Sequence, residues 1–267
     1  MTERAMNRIV TGAEYVTQIT ALESDRQARA AFWDLVAKIA PPRAALLDFG
    51  AGTGMDARFY VERGFAVTAY DVDPEMRAYF ASHCEDLMAA GRVTLENGSY
   101  RDFLDRRRTD RAGSIDLVTS NFAPFNLVDN LHELFAAFYA RTGPTGKVLA
   151  SVLSPYFLGD AKYGWWWRNA PRLWRDGRFS VVGAQVPIVR RRLSDFFAQC
   201  SPYFRLARVI PGLPSRPAQS DTGIPGEPVS HYSWMRLLSC RFMFLLFEKS
   251  DSAAAGHTIA ITTAPPN

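Results

Sequence analysis

The sequence predicts an α/β protein built on a doubly wound parallel sheet. Short apolar runs alternate with helical patterns from residue 44 to residue 153, and strands that alternate with helices form parallel sheets covered on both faces. After residue 153 the alternation stops, which predicts a lid inserted after strand five. Two β-prone runs near the end, with no helix between them, predict an antiparallel hairpin at the sheet edge.

The individual elements follow from apolar spacing and from the residues at their ends. Ser24 and Gln27 have the spacing of a capping box, which predicts the start of the first helix, and Pro41-Pro42 ends it. Asp73-Pro74 is a typical helix start. The predicted strands are 44–49, 65–70, 93–96, 115–120, 147–153, 204–210 and 241–247, and further helices end at residue 63, begin at residue 74 and cover 127–140 and 193–200.

Composition indicates one folded unit with an elaboration. The 267 residues are 48% apolar and 22% charged, as in a globular protein near the upper size for a single core. The predicted organisation is an N-terminal helical cap over 1–42, a cofactor-binding α/β core over 43–153, an aromatic lid over 154–185, a C-terminal helix and edge hairpin of the same sheet over 186–249, and a flexible tail over 250–267.

Cysteine content and charge indicate the cellular location of the protein and the partners that it can have. Three widely separated cysteines without a CxxC pair predict unpaired thiols, a reducing cytoplasm and no metal site. No apolar stretch has the length of a signal peptide or a membrane span, so we expect a cytoplasmic protein without a transmembrane segment. The arginine clusters at 106–111 and 190–192 have no nucleic-acid motif beside them, so we expect solvated faces and no nucleic-acid partner. The oligomeric state does not follow from these features.

The strongest chemical signal is a glycine loop between the first strand and its helix. The loop contains Gly50, Gly52 and Gly54, and alternate glycines let the backbone turn sharply and let a ligand lie against it. Asp71 ends the second strand, 21 residues after Gly50, where a carboxylate in this fold binds a ribose. The combination predicts a nucleoside-containing ligand, whereas the loop alone is also compatible with a tight turn.

Spacing and charge indicate which nucleoside. Dinucleotide-binding loops follow G-x-G-x-x-G, but the sixth position counted from Gly50 is Met55. Asp48 precedes the loop, where it would repel a pyrophosphate and attract an ammonium or sulfonium group. A cationic nucleoside therefore fits better than a nicotinamide dinucleotide.

These residues resemble the first motif of class I S-adenosylmethionine-dependent methyltransferases, an acidic residue followed by G-x-G-x-G. The resemblance covers residues 43–153, through segments 48–54, 70–74, 115–122 and 143–147. It implies a Rossmann-like seven-stranded sheet with an antiparallel last strand, S-adenosyl-L-methionine as cofactor and S-adenosyl-L-homocysteine as product. It also implies the cofactor contacts: the methionine part at Gly50, Ala51, Gly52 and Gly54, the amino group at Asp48, the ribose at Asp71 and the adenine beside Val72.

Two segments of the core are expected to complete the cofactor site. Many family members bind the adenine amino group with an acidic residue after the third strand, but this chain has Ser99-Tyr100, and Ser99 or the backbone would substitute. Asn121 and Phe122 follow the fourth strand, where the family places the transferred methyl group. Asn121 is interpreted either as a polar substrate contact in the reaction or as a turn residue.

Residues on either side of the core are further candidates. Tyr15, Arg26 and Arg29 lie in the N-terminal cap, which in this family often closes over the cofactor, and either arginine would pair with the methionine carboxylate. The alternative is an exposed helix face. His231 and Tyr232 follow a long loop before the last strand, where the chain would return to the active site, and they are the candidate acid–base residues.

The aromatic lid is the candidate acceptor site. Residues 163–175 hold four of the six tryptophans, and Trp166 and Trp167, with Phe125 after strand four, are expected to contact a hydrophobic or planar substrate. The alternatives are a lid packed on the sheet edge and a weak membrane-surface contact. Pro171 argues against the long amphipathic helix that a membrane contact uses.

We therefore expect an enzyme that transfers a methyl group from S-adenosylmethionine to an oxygen or nitrogen of a small hydrophobic or aromatic metabolite, without a metal. In-line displacement at a sulfonium depends mainly on positioning, with one base for the acceptor proton. We also considered a nicotinamide-dependent oxidoreductase, which Met55 and Asp48 disfavour, and a cofactor-binding protein without catalysis.

Overall fold

The computed structural model describes residues 22–106, 114–181, 187–212 and 238–250. The helices are α1 Glu23–Ile39, α2 Met55–Glu62, α3 Pro74–His83, α4 Glu85–Ala89, α5 Tyr100–Asp105, α6 Leu131–Arg141, α7 Gly164–Asp176 and α8 Leu193–Cys200. The strands are β1 Ala45–Phe49, β2 Ala66–Tyr70, β3 Val93–Glu96, β4 Ile115–Ser120, β5 Thr142–Leu153, β6 Arg178–Val181, β7 Ile188–Arg191, β8 Phe204–Pro211 and β9 Phe242–Lys249.

Seven strands form one sheet in the order β3-β2-β1-β4-β5-β9-β8. The pairs from β3 to β5 are parallel, and β9 is antiparallel to both β5 and β8. This confirms the Rossmann-like seven-stranded α/β fold with an antiparallel last strand. Because β1, β2 and β4 are parallel neighbours, the loops that follow them meet at one edge of the sheet.

Apolar layers cover both faces of the sheet. One layer holds Phe103, Phe135 and Phe196 from α5, α6 and α8, and the other holds Phe32 and Tyr60 from α1 and α2. Successive residues of a strand point to opposite faces, so Leu47 joins the first layer and Leu46 the second. Apolar packing on both faces of the sheet therefore fixes the strands from whose carboxyl ends these loops begin.

The predicted starts of two helices are wrong. α1 begins at Glu23, and Leu22 precedes it without a side-chain cap. Ser24 therefore lies inside the helix, and the Gln27 side chain donates to Glu23 Oε1 at 2.9 Å and completes no capping box. The helix expected from residue 127 begins at Leu131, because a 3-10 turn at Pro124–Asn126 comes first.

The lid, residues 154–185, also differs from the prediction. α7 has 13 residues and runs through Pro171, so the proline does not end this helix, whereas it was expected to prevent a long amphipathic one. Its missing N–H would have bonded to the Trp167 carbonyl; both residues are exposed, so water can take the place of that bond. β6 pairs with β7 as a separate two-stranded sheet, which crosses the predicted boundary at residue 185.

The arginine cluster 190–192 is not a solvated face. Arg190 and Arg191 are 7% and 0% exposed, and each forms an ion pair, with Asp160 and Asp195 respectively. Arg190 Nη1 also donates to the Ser154 carbonyl, directly after β5. Because Asp160 and Ser154 both belong to the lid, the cluster holds the lid to the rest of the chain.

Cys84, Cys200 and Cys240 are buried, and none of the three is in a disulfide. Within the described ranges, no helix is long and apolar enough to cross a membrane.

Candidate functional site

The glycine loop lies at the carboxyl edge of the sheet, between β1 and α2. Gly50, Gly52 and Gly54 have φ values of +74°, +53° and +83°, a region that side chains other than glycine rarely adopt. The N–H groups of Gly50 and Ala51 donate to the Tyr70 carbonyl at 2.8 and 3.0 Å. The loop is therefore fixed to the end of β2, in the position expected for a cofactor-binding loop.

Two of the glycines are also required by packing. A Cβ at Gly50 would lie 2.3 Å from Pro124 Cγ, and one at Gly54 would lie 2.6 Å from Cys84 Sγ. Gly54 thus allows a helix to approach the loop, and it does not line the cavity described next. Its predicted contact with the methionine part stays a prediction.

A small cavity, the glycine-loop cavity, lies against this loop. Its volume is about 20 Å³, the space of about one water molecule. The loop residues 50–53 line it together with Arg29, Met55, Asp56, Asn121 and Phe122. The structure thus brings together the predicted residues Gly50, Ala51, Gly52, Arg29, Asn121 and Phe122. Because the enclosed space is so small, a nucleoside would extend along the sheet edge beyond it.

Asp56 joins the groups around this cavity. Its Oδ1 accepts hydrogen bonds from Arg29 Nη1 at 2.5 Å and Trp33 Nε1 at 2.7 Å, and its Oδ2 accepts one from Asn121 Nδ2 at 3.3 Å. The Arg29 guanidinium also lies over the Phe122 ring, 4.5 Å from its centre. Arg29 is therefore a buried cation at the cavity and not an exposed helix residue.

Asp56 and Trp33 were not among the site residues predicted from the sequence. The available signal for Asp56 was an acidic residue in the first turn of the helix that follows the glycines, where the helix dipole favours it. Trp33 gave no signal, because its role depends on how α1 packs against α2: its ring stacks on Phe59 at 4.3 Å.

The backbone after β4 is strained. Phe122 and Ala123 have φ values of +58° and +71°, which is uncommon for residues with side chains. The Asn121 side chain accepts the Phe122 N–H at 2.9 Å and thereby holds this turn. Asn121 is thus a turn residue that also lines the cavity, and its contact with the substrate stays a prediction.

Asp48 is a buried carboxylate beside the glycine loop. It is 1% exposed; Oδ1 accepts a hydrogen bond from Thr119 Oγ1 at 3.2 Å, and Oδ2 has no partner among the described residues. Burial, and then the nearby Asp56 carboxylate, raise the pKa of Asp48 well above its usual range. A buried oxygen without a partner fits the cationic amino or sulfonium group of S-adenosylmethionine, although Asp48 does not line the glycine-loop cavity.

Asp71 has a second role that the sequence did not show. Its Oδ2 accepts the Gly52 N–H at 2.8 Å and its Oδ1 accepts the Asp73 N–H at 2.9 Å. The carboxylate therefore holds the glycine loop as well as lying where the ribose is expected. Burial raises its pKa. Val72, expected beside the adenine, is 56% exposed, as a surface for a planar ligand would be.

In the segment after β3, the side chains of Ser99 and Tyr100 both have contacts within the protein. The Ser99 hydroxyl donates to Asp102 Oδ2 at 2.8 Å and accepts the Asp102 N–H at 3.2 Å, which caps α5. The Tyr100 ring packs against the core near Phe49, and burial raises the pKa of its hydroxyl. The adenine contact by Ser99 or the backbone of this segment stays a prediction.

A larger space, the lid cavity, lies beneath α7. Its volume is about 560 Å³, and Tyr156, Trp166, Leu173, Trp174, Phe179 and Arg192 are among its lining residues. Trp166 therefore lies where a substrate contact was predicted. Trp167 does not line the cavity: it is 63% exposed, and its Nε1 donates to the Ala161 carbonyl at 2.7 Å.

The remaining predicted residues are not part of either cavity. Phe125 is 0% exposed and packs in the core against Phe49 and Phe138. The predicted contact between Phe125 and the substrate is therefore wrong, because other core residues enclose its ring. Tyr15, His231 and Tyr232 lie outside the described residues. Among the described residues, no cluster of histidine, cysteine, aspartate or glutamate could hold a metal ion.

The sheet order, the glycine loop and the two acidic residues define a class I S-adenosylmethionine-dependent methyltransferase. The model of the family described as "Methyltransferase domain" matches residues 22–184, and the chain belongs to this family. It is therefore an enzyme that uses S-adenosylmethionine, and the nicotinamide-dependent and non-catalytic alternatives are set aside.

Individual relatives are distant. The chain is 28% identical over 152 residues to a malonyl-[acyl-carrier protein] O-methyltransferase of Pectobacterium atrosepticum, and the match covers 55% of this chain and 54% of that protein. The chain thus spans about half the length of this curated relative.

Solved structures share the fold at low identity. A 1,6-didemethyltoxoflavin-N1-methyltransferase from Burkholderia thailandensis has a TM-score of 0.53 at 16% identity, with 90% of this chain and 87% of that chain covered. A geranyl diphosphate C-methyltransferase from Streptomyces coelicolor has a TM-score of 0.52 at 14% identity, with 83% and 74% covered. Both structures contain S-adenosylhomocysteine.

Proposed function

We propose that this methyltransferase transfers the methyl group to an oxygen or nitrogen of a small hydrophobic or aromatic molecule that binds in the lid cavity. The observation that carries the proposal is the cavity of about 560 Å³ beneath α7, with its aromatic and aliphatic lining. A cavity of this size and character is typical of small-molecule sites.

The location of the lid cavity supports the proposal. Its residues Pro155 and Tyr156 follow β5 directly, and β5 is the parallel neighbour of β4, whose end carries Asn121. Parallel strands have their carboxyl ends at the same edge of the sheet, so the acceptor cavity and the cofactor loops lie at that edge.

The proposed cofactor contacts follow from the charges at this edge. Arg29 would pair with the methionine carboxylate, Asp48 with the amino group and Asp71 with the ribose hydroxyls. The bound cofactor supplies a sulfonium methyl group that a nucleophile can displace. The protein's contribution is to hold the acceptor in line and to exclude water.

The proposal leaves open whether the methylated atom of the acceptor is an oxygen or a nitrogen. The curated relative is named an O-methyltransferase and the Burkholderia neighbour an N1-methyltransferase, so oxygen and nitrogen are both kept. Asn121 is the described polar residue that directly follows β4, where the transferred methyl group is expected. His231 and Tyr232 stay predictions for the base, as does a weak contact between the protein and a membrane surface.

The experiment compares two adjacent tryptophans. Labelled methyl groups are followed from S-adenosylmethionine into a metabolite extract, with the wild type, Trp166→Ala and Trp167→Ala. Trp166 lines the lid cavity and Trp167 does not, so we expect Trp166→Ala to lower acceptor kcat/KM by about tenfold or more, because large aromatic side chains dominate such contacts. Trp167→Ala should stay within about twofold of the wild type.

The two variants also separate a substrate contact from a structural role. If Trp166→Ala lowered the melting temperature and the affinity for S-adenosylhomocysteine, but left the acceptor constants of the folded protein unchanged, the lid cavity would not be the acceptor site. Equal effects of the two substitutions would contradict the proposal as well.

A further inference from the structure

Three consecutive arginines stand at the junction of β7 and α8, two as the last residues of β7 and Arg192 between the two elements. The described part of the chain supplies ion-pair partners for only the first two. Arg190 Nη2 lies 3.2 Å from Asp160 Oδ2, and Arg191 Nε lies 3.1 Å from Asp195 Oδ2. Arg192 has neither an ion pair nor a side-chain hydrogen bond within the described ranges. Its Nε is buried and without a hydrogen-bond partner.

Arg192 is also the charged residue of the lid cavity. Every other residue that lines the cavity is uncharged, and most are apolar or aromatic. The Tyr156 hydroxyl, on the same wall, accepts the Leu193 N–H at 3.4 Å and is not an anion. A guanidinium with a buried N–H and no ion-pair partner in the described part of the chain is costly beside an apolar surface.

A bound ligand with an anionic group would supply the partner that this cation lacks. Arginine binds carboxylates and phosphates through two parallel N–H donors, and such pairs are among the stronger hydrogen bonds in proteins. A wholly neutral acceptor would fill the apolar part of the cavity but would leave the Arg192 charge without an anionic partner.

We propose that the methyl acceptor is an amphipathic anion, whose apolar body fills the lid cavity and whose carboxylate or phosphate end pairs with Arg192. This inference rests on the proposed function, since it assigns the acceptor to the same cavity. It makes Arg192 a specificity-determining residue, and Trp166 a contact of the apolar body.

The test uses three probes with one chain length: decanoate, decyl phosphate and 1-decanol. Their affinities are measured by calorimetry in the presence of S-adenosylhomocysteine, for the wild type, Arg192→Gln and Arg192→Lys. Arg172→Gln is the matched control, because Arg172 lies exposed on α7 and does not line the cavity. Melting curves confirm that each variant is folded.

We expect the wild type to bind at least one anionic probe about tenfold more tightly than 1-decanol. Arg192→Gln should remove that preference and leave the affinity for 1-decanol within about twofold, Arg192→Lys should restore part of the preference, and Arg172→Gln should retain it in full. A preference for decanoate over decyl phosphate, or the reverse, identifies the anionic group.

The outcomes separate this inference from the proposed function. If decanoate, decyl phosphate and 1-decanol bound the wild type equally, or Arg192→Gln weakened all three alike, the anionic end would be refuted and the apolar cavity retained. The same holds if Arg172→Gln removed the preference as fully as Arg192→Gln. If no probe bound, both the inference and the assignment of the cavity to the acceptor would be overturned.

Discussion

Asp71 has two roles, and its replacement should affect both the stability of the fold and cofactor binding. Its carboxylate accepts N–H groups from Gly52 and Asp73 at 2.8 and 2.9 Å. A hydrogen bond to a charged group contributes ~1.5–3 kcal/mol. Because burial of the carboxylate is itself unfavourable and raises its pKa, we expect Asp71→Ala to lower the free energy of unfolding by ~2–4 kcal/mol in total.

Cofactor affinity should fall in the same variant. Loss of the ribose contact and loosening of Gly52 should together weaken S-adenosylhomocysteine binding by ~1–3 kcal/mol, about 5- to 150-fold in dissociation constant. Asp71→Asn keeps one acceptor oxygen and should lose about half as much stability. Denaturant unfolding and calorimetric titration measure the two effects independently.

Asp73 provides the matched control. Its Oδ1 accepts the Glu75 N–H at 2.8 Å and caps α3, so Asp73→Ala should cost ~1 kcal/mol of stability. It should leave the affinity for S-adenosylhomocysteine within about twofold. A folded Asp71→Ala protein with an unchanged dissociation constant, or an equal loss of affinity in Asp73→Ala, would refute this reasoning.

Two further substitutions test the loop itself. The folded state raises the pKa of Asp48, so its ionisation destabilises the fold increasingly as pH rises from the ordinary carboxyl range through the raised pKa. Asp48→Asn should therefore be more stable than the wild type at pH 8, by a margin that narrows at pH 5, and should bind S-adenosylhomocysteine more weakly; unfolding curves showing a less stable variant at pH 8 would contradict this. Gly52→Val places a β-branched residue at φ +53° and should abolish binding in calorimetry, whereas retained affinity would remove the glycine loop from the site.

The regular core could be predicted because its signals are local. β3 and β4 span the predicted residues 93–96 and 115–120, and α8 spans the predicted 193–200. Each of these elements has apolar residues at the spacing of its own secondary structure and sits between turn residues. The glycine loop and Asp71 were likewise detectable because motif and spacing lie in one short stretch.

The rest depends on contacts between distant segments. Pro171 signalled a helix end, but the exposed side of α7 tolerates the lost hydrogen bond. Phe125 looked available after strand four, whereas the aromatic cluster of α5 and α6 encloses it. The hydrogen bonds that Asp56 accepts join α1, α2 and the loop after β4, and no local pattern reports such an arrangement.

The most direct test of the account is the destination of the transferred methyl group. The wild-type protein is incubated with methyl-labelled S-adenosylmethionine and a metabolite extract that still contains its macromolecules, and the label is then divided into an organic-solvent phase, an aqueous phase and an acid-precipitated macromolecular fraction. The account predicts enzyme-dependent label in the organic-solvent phase after acidification, because the proposed acceptor is small and largely apolar. Enzyme-dependent label confined to the macromolecular fraction would contradict a small acceptor in the lid cavity.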